Sequence, residues 1–404
     1  MALLETRAAA TIGLDEASRQ RWDVIVIGAG PAGAMAAREV ARGGARVLLV
    51  DRASFPRPKV CGCCVNGAAM GVLRDVGLGE LLEQHGAQKL CAFRLASAGH
   101  FADVRLSEGV SLSRERFDTA LIQAAIDAGA EFLDQTQALI SDSTSDAREI
   151  VLKGGATERT ASAKAIVVAG GLGCRVFDEP DADQRQASPT SRVGAGTVLD
   201  VAPAEYPAGT IFMACHRHGY VGLVRLEDDR LDIAAALDAD AIKRHGGIAA
   251  LVDRILTTAM LPVPETLDGA NWQGTAKLTQ HRELVAAARC FFIGDAAGYV
   301  EPFTGEGMAW ALASGRAVAP IVLRFVRDND ACAMQAWMEK RRQLLANRAR
   351  LCLAVSRLLR YPAIVGFAVR VLAVIPSLAW PVVRSLNASF VDNSVKDTMV
   401  RIQK

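Results

Sequence analysis

Three glycines, Gly28, Gly30 and Gly33, spell the pattern GxGxxG, and Asp51 follows 23 residues after the first of them. The chemistry this spacing serves is dinucleotide binding. The first glycine permits a tight turn, the second lets the backbone approach a pyrophosphate, and the third lets a helix pack closely on a strand. The free N–H groups and dipole at the start of that helix attract negative charge. Asp51 is placed to accept from ribose hydroxyls and would repel a 2′-phosphate. Pro31 and Ala32 inside the loop and Arg52 beside the acid belong to the same candidate site. The alternative, a structural turn near a surface acid, fits poorly with the full order of strand, turn, helix, strand and acid.

GxGxxG does not separate nicotinamide from flavin dinucleotides, so the deciding motif is the distant Gly294-Asp295-Ala296-Ala297-Gly298. An aspartate at a strand end, flanked by small residues, can reach a ribityl hydroxyl of a flavin. The loop Glu301-Pro302-Phe303-Thr304-Gly305-Glu306-Gly307 then feeds a helix. Its N-terminus can face the pyrimidine edge, where reduction places negative charge. Pro302, Gly305 and Gly307 are therefore counted with Gly294 and Asp295 as residues of an FAD site. Glu306, at the head of that helix, reads as a capping residue.

Cys61, Cys63 and Cys64 invite a metal reading, but a tetrahedral site wants four ligands and no companion CxxC lies elsewhere. No metal is expected. Cys61 is placed beside the flavin and Cys63 in a substrate pocket. His216 and His218 alternate on one expected strand, so their side chains share a face. On a pocket wall either could carry a proton near neutral pH; a solvated pair is the alternative.

These groups need elements to hold them. Residues 22–27 and 46–50 read as short apolar strands and 31–41 as an Ala-rich helix, a βαβ unit. Residues 113–129 and 305–326 read as helices, and 165–169 and 289–293 as strands. Between them, 192–237 reads as several strands and 242–260 as a helix. The expected class is α/β, a Rossmann-like FAD-binding domain with an inserted antiparallel-sheet substrate domain and a C-terminal helical segment. The expected division is an extension over 1–21, the FAD-binding domain over 22–177 and 286–326, the substrate domain over 178–285 and the helical region over 327–404.

The chain has 404 residues, 51% hydrophobic and 22% charged, a mix that excludes disordered, collagenous and low-complexity classes. The 46 basic and 44 acidic residues leave a charge of +2, so nothing points to nucleic acid. Charge is nonetheless uneven: residues 340–384 carry nine basic residues and no acid, interleaved with Leu, Val and Trp380. Solvated helices would explain this segment, and so would peripheral docking on a membrane or a lipid substrate. The uncharged run 371–383 is broken by Pro376 and Pro381 and falls short of the roughly 20 apolar residues of a spanning helix. Nine cysteines and no evident secretory signal fit reduced thiols in the cytoplasm.

The chain resembles the FAD-dependent oxidoreductases that include single-component aromatic hydroxylases, flavin halogenases and geranylgeranyl reductases. The likeness covers most of 22–326. Ala37, Ala41-Arg42-Gly43-Gly44 and Val47 before Asp51 extend the N-terminal pattern, and Arg114 with Phe117, Asp118 and Leu121 is similar to a second helix whose arginine approaches the cofactor. Phe55-Pro56-Arg57-Pro58-Lys59-Val60-Cys61-Gly62 resembles the segment that runs along the flavin in geranylgeranyl reductases.

Departures matter as much. Gly170-Gly171-Leu172-Gly173-Cys174-Arg175 stands where hydroxylases carry Asp-Gly, and Gly219-Tyr220-Val221-Gly222-Leu223-Val224-Arg225-Leu226 keeps only the opening of the reductase aromatic pattern. None of the five tryptophans forms the Trp-x-Trp of halogenases, and Gly194-Ala195-Gly196 lacks the third glycine of a second dinucleotide site. The resemblance implies an FAD enzyme. The first expectation is an NAD(P)H-using monooxygenase that hydroxylates a phenolic, polyketide-like or lipidic small molecule. The alternatives are reduction of carbon–carbon double bonds in an isoprenoid or lipid, and a non-enzymatic lipid carrier.

Overall fold

The computed structural model describes residues 7–144, 146–177, 185–301 and 303–390. Its centre is a sheet in which Arg21–Ile27 lies between Thr157–Val168 and Val47–Val50, extended by Cys290–Phe292 on one side and Glu131–Leu133 on the other, all parallel. Strands buried on both faces must be continuously apolar, and the runs Val24–Ile27 and Val47–Val50 are fully buried. Helix Pro31–Arg42 crosses back over this sheet and packs against Gly307–Asp328. Gly315 permits that crossing, because a Cβ there would lie 2.4 Å from the Ala32 carbonyl oxygen.

Gly307–Asp328 is long and apolar enough to cross a membrane, but two-thirds of its most apolar window is buried inside the protein, as in a core helix.

A second sheet of seven strands runs in the order Gln273–Lys277, Val193–Leu199, Leu231–Leu237, Gly219–Arg225, Thr210–His216, Ala92–Ser97, His100–Arg105. The last two strands come from inside the range 22–177 expected for the FAD-binding domain. Ala92–Ser97 pairs in parallel with Thr210–His216, so the second sheet extends beyond 178–285, the range expected for the substrate domain. The single helix expected over 242–260 is two, Ala239–Arg244 and Ile248–Ala259, separated at Gly246 and Gly247, both with positive φ.

The C-terminal region is helical as expected, with Ala333–Leu358, Pro362–Val374 and Trp380–Asn387; residues 391–404 lie outside the described residues. Pro362–Val374 packs across Ala92–Ser97 and His100–Arg105, so this region caps the second sheet.

Candidate active site

The glycine loop has the geometry its spacing requires. Gly28 sits at φ +102°, and a Cβ there would lie 2.6 Å from the Ala169 carbonyl oxygen; at Gly33 it would lie 1.8 Å from the Gly28 carbonyl oxygen. Both are glycines for packing. Gly30 is different: its Cβ would meet nothing nearer than Arg57 Nη2 at 3.8 Å and Arg114 Nη2 at 4.0 Å. The open space before Gly30 is thus flanked by two guanidinium groups, which suits a pyrophosphate. Asp51 closes its strand, with Oδ2 accepting from Ala29 N at 2.7 Å and Oδ1 from Ala53 N at 2.9 Å, so its orientation is fixed while lone pairs remain for a ribose.

Ser113 caps helix Arg114–Asp127 through its side chain. One turn on, Asp118 accepts from Arg114 Nε and Nη2, both at 2.8 Å, in a buried bidentate pair. Arg57 Nη2 lies 3.5 Å from the same carboxylate, and Arg57 Nε is buried without a partner. At the other strand end, Gly294 adopts φ +55° and donates to Ser314 Oγ at 3.0 Å, turning Asp295 into the space.

A cavity of about 900 Å3 joins these groups. Gly28, Gly30, Pro31, Ala32, Asp51, Arg52, Cys61, Arg114, Asp295, Gly305 and Gly307 all line it. Gly33 and Gly294 do not; they shape the turns behind it. Pro302 lies outside the described residues. The cavity therefore carries cationic groups beside Gly30 and a half-buried carboxylate, Asp295, on its wall, a fit to FAD. Arg52, Arg57, Lys59 and Arg114 would hold the pyrophosphate end, Asp51 the ribose and Asp295 the ribityl chain.

Electrostatics follow from burial. Burial pushes Asp295 up to about 6, opposed by Lys59 and Arg114. Lys59 is shifted downward by burial and then by Arg57 and Arg114. The Cys63 thiol donates to Cys61 sulfur and, with the Arg114 guanidinium alongside, holds Cys61 down to about 5 despite burial. That same hydrogen bond, then burial and Asp232, push Cys63 well up.

Three expectations are corrected. Cys63 is not on the cavity wall; with φ +48° it turns behind it, and Cys64 lines the cavity instead. His216 and His218 do not share a strand: Thr210–His216 ends at His216, and His218 is in the hairpin turn. Their rings are 5.2 Å apart, with His245 5.6 Å from His218, outside the cavity lining. Burial lowers His216 to about 4, so it is neutral near pH 7. Glu306 does not cap its helix; it is buried and pairs with Arg348 at 2.5 Å.

Sequence reasoning placed Arg57 and Lys59 in the segment similar to one that runs along the flavin but gave neither a role of its own, although two cations flanking Pro58 were the signal. It also gave no role to Tyr220, whose buried hydroxyl has no partner, or to Glu301, which accepts from buried Arg192 Nη1 at 2.9 Å. Among the described residues no group of three or more His, Cys, Asp or Glu could hold a metal ion.

Residues 21–344 match the family model described as FAD binding domain. The chain belongs to this FAD-binding family. It is 26% identical over 335 residues to a menaquinone reductase of Mycobacterium tuberculosis, covering 74% of this chain and 76% of that one. It is also 26% identical over 323 residues to digeranylgeranylglycerophospholipid reductase 3 of Methanosphaera stadtmanae, covering 76% and 79%. In fold it is similar to the flavin-dependent brominase Bmp2, with a TM-score of 0.75, 18% identity and coverage of 91% and 94%. A geranylgeranyl bacteriochlorophyll reductase-like protein of Thermoplasma acidophilum gives 0.73, 16%, and 91% and 98%. This family member is an FAD-dependent oxidoreductase, and the reading as a non-enzymatic carrier falls away.

Proposed function

We propose that this enzyme reduces a carbon–carbon double bond in an elongated, apolar substrate of isoprenoid type. The carrying observation is the cavity beyond the cofactor end. It continues between the second sheet and the C-terminal cap along Phe93, Leu95, Met213, Leu372, Leu378 and Leu386. A flexible hydrocarbon gains from such a lining in proportion to its buried area. The relatives named as reductases support the same choice over hydroxylation, as does the absence of Asp-Gly at Gly170-Gly171.

FAD held here would supply hydride once reduced by a nicotinamide that visits transiently. The chain's own residues do the rest. Arg57, Arg114 and Asp51 anchor the dinucleotide, and the cap excludes water. Tyr220 lines the cavity beside Phe303, with ring centroids 5.1 Å apart. Burial pushes its hydroxyl pKa well up, so the hydroxyl keeps its proton and has no protein acceptor. Beside the cavity it is thus a hydroxyl whose hydrogen-bonding capacity no protein group uses.

Turnover of a polyprenyl probe with NADPH, analysed by mass spectrometry, tests the reaction. A mass gain of two hydrogens per turnover is expected. Incorporation of label from isotopic dioxygen would transfer the assignment to hydroxylation.

A further inference from the structure

Helix Pro362–Val374, PAIVGFAVRVLAV, has a single charged residue, Arg370, in thirteen. A helix apolar on all sides belongs inside a protein core or against lipid. This one is only half covered. Val365 and Val369 are buried and Leu372 faces the cavity, while Ile364, Phe367 and Val374 on its other side are 46%, 69% and 81% exposed. The next segments repeat the division. Leu378 and Val382 line the cavity yet remain 55% and 46% exposed, and Trp380 is 61% exposed. The exposed apolar surface is therefore the outer side of the cavity roof, and contiguous patches of that kind mark a partner or a membrane.

The charges select among these occupants. Arg370 and Arg384 are exposed on the same segments, Arg357 is exposed at the end of the preceding helix, and no acid occurs from 340 to 390. Trp380 follows the 3-10 turn Pro376–Ala379, an amphipathic ring between apolar and basic neighbours, as at membrane interfaces. The roof is firmly seated from within. Arg348 donates to the Leu386 and Ala388 carbonyls, and Asn387 Oδ1 accepts from Gly67 N at 2.9 Å.

We infer that segment 361–384 docks on an anionic phospholipid surface and forms the portal through which a lipid-borne substrate passes from the bilayer into the cofactor cavity. Ile364, Phe367, Val374 and Trp380 would sit among acyl chains, with the arginines at the headgroups. The docking part stands without the reaction proposed above; only the portal rests on it.

The test is flotation of the full-length, FAD-loaded protein with vesicles of phosphatidylcholine alone or with 30% phosphatidylglycerol, about the composition that gives a strongly negative surface. Recovery with anionic vesicles and at least tenfold less with neutral ones is expected. Arg370→Ala and Arg384→Ala should each weaken binding about fivefold at low salt, equivalent to about 1 kcal/mol per cation. Phe367→Glu with Trp380→Glu should abolish it while flavin content and circular dichroism stay unchanged, since both sites are on the surface. No recovery, or recovery insensitive to these substitutions, overturns the docking. So does a stable dimer that the Phe367→Glu, Trp380→Glu variant converts to monomer, for then a second copy covers the patch. If docking holds but a water-soluble short-chain probe and a vesicle-borne substrate respond identically to that variant, the portal is overturned alone.

Discussion

Arg348 Nη1 lies 2.5 Å from Glu306 Oε1, joining the long helix Ala333–Leu358 to the loop that feeds the cofactor-facing helix. The carboxylate is 2% and the guanidinium 15% exposed. Arg348 also reaches two carbonyls of the cavity roof, so one side chain ties the cofactor loop, the long helix and the cap together. Arg348→Met leaves Glu306 buried without its cation and should cost about 3 kcal/mol. Adding Glu306→Gln should restore much of that loss, because the uncompensated charge is gone. Urea denaturation of the holoenzyme and its variants measures both, and a double variant as unstable as the single one would show that the pair is not what matters.

Gly30→Val probes the space that only a ligand would fill. No protein atom lies close to that Cβ, so the fold should survive, with secondary structure and urea midpoint unchanged. FAD affinity should fall at least 100-fold by titration calorimetry. Gly33→Ala makes the contrast, since its Cβ would strike the Gly28 carbonyl and the variant should fail to fold. Full flavin occupancy in Gly30→Val would show that the pyrophosphate sits elsewhere.

The lowered Cys61 pKa predicts reactivity. A thiol held near 5 is thiolate above that pH and protonated below it. Alkylation of Cys61 by iodoacetamide in the apoprotein, followed by peptide mass spectrometry, should thus be flat from pH 8 to 6 and decline around pH 5. Cys63→Ala removes the stabilising donor and should move the midpoint upward. A midpoint in the ordinary thiol range of about 8.5 in the unaltered protein would show that Cys61 is not so held.

Tyr220→Phe deletes a buried hydroxyl that satisfies no protein group. Stability should hold or rise by about 1 kcal/mol, since an unpaired polar atom is removed. If the hydroxyl serves the substrate, kcat should fall about 100-fold with flavin reduction by nicotinamide unchanged. Stopped-flow spectroscopy separates the two half-reactions, and an unaltered oxidative half-reaction would reduce Tyr220 to packing.

The cofactor end was legible because its demands are local. Gly28, Gly33 and Asp51 are fixed by a turn and a strand end, and Gly294-Asp295 repeats that logic, so residue type and short spacing carried the reading. What failed depended on long-range placement. Ala92–Ser97 gives no sign in its own sequence that it pairs with Thr210–His216 more than one hundred residues on. Alternation with His216 predicts that the strand continues through His218, whereas Gly219, with φ +149°, follows it and permits the turn. Glu306 looked like a cap because its partner Arg348 is 42 residues distant. Arg57 needed the Arg114–Asp118 pair before its place in the cavity could be seen.

The interleaving of the second sheet has an engineering and evolutionary consequence. Residues 178–285 would carry away five of its seven strands and leave Ala92–Ser97 and His100–Arg105 behind, opening an edge in the middle of the substrate wall. This enzyme cannot trade its specificity as a cassette. New specificities would instead be reached by point changes along a wall whose strands come from both 92–105 and 193–277.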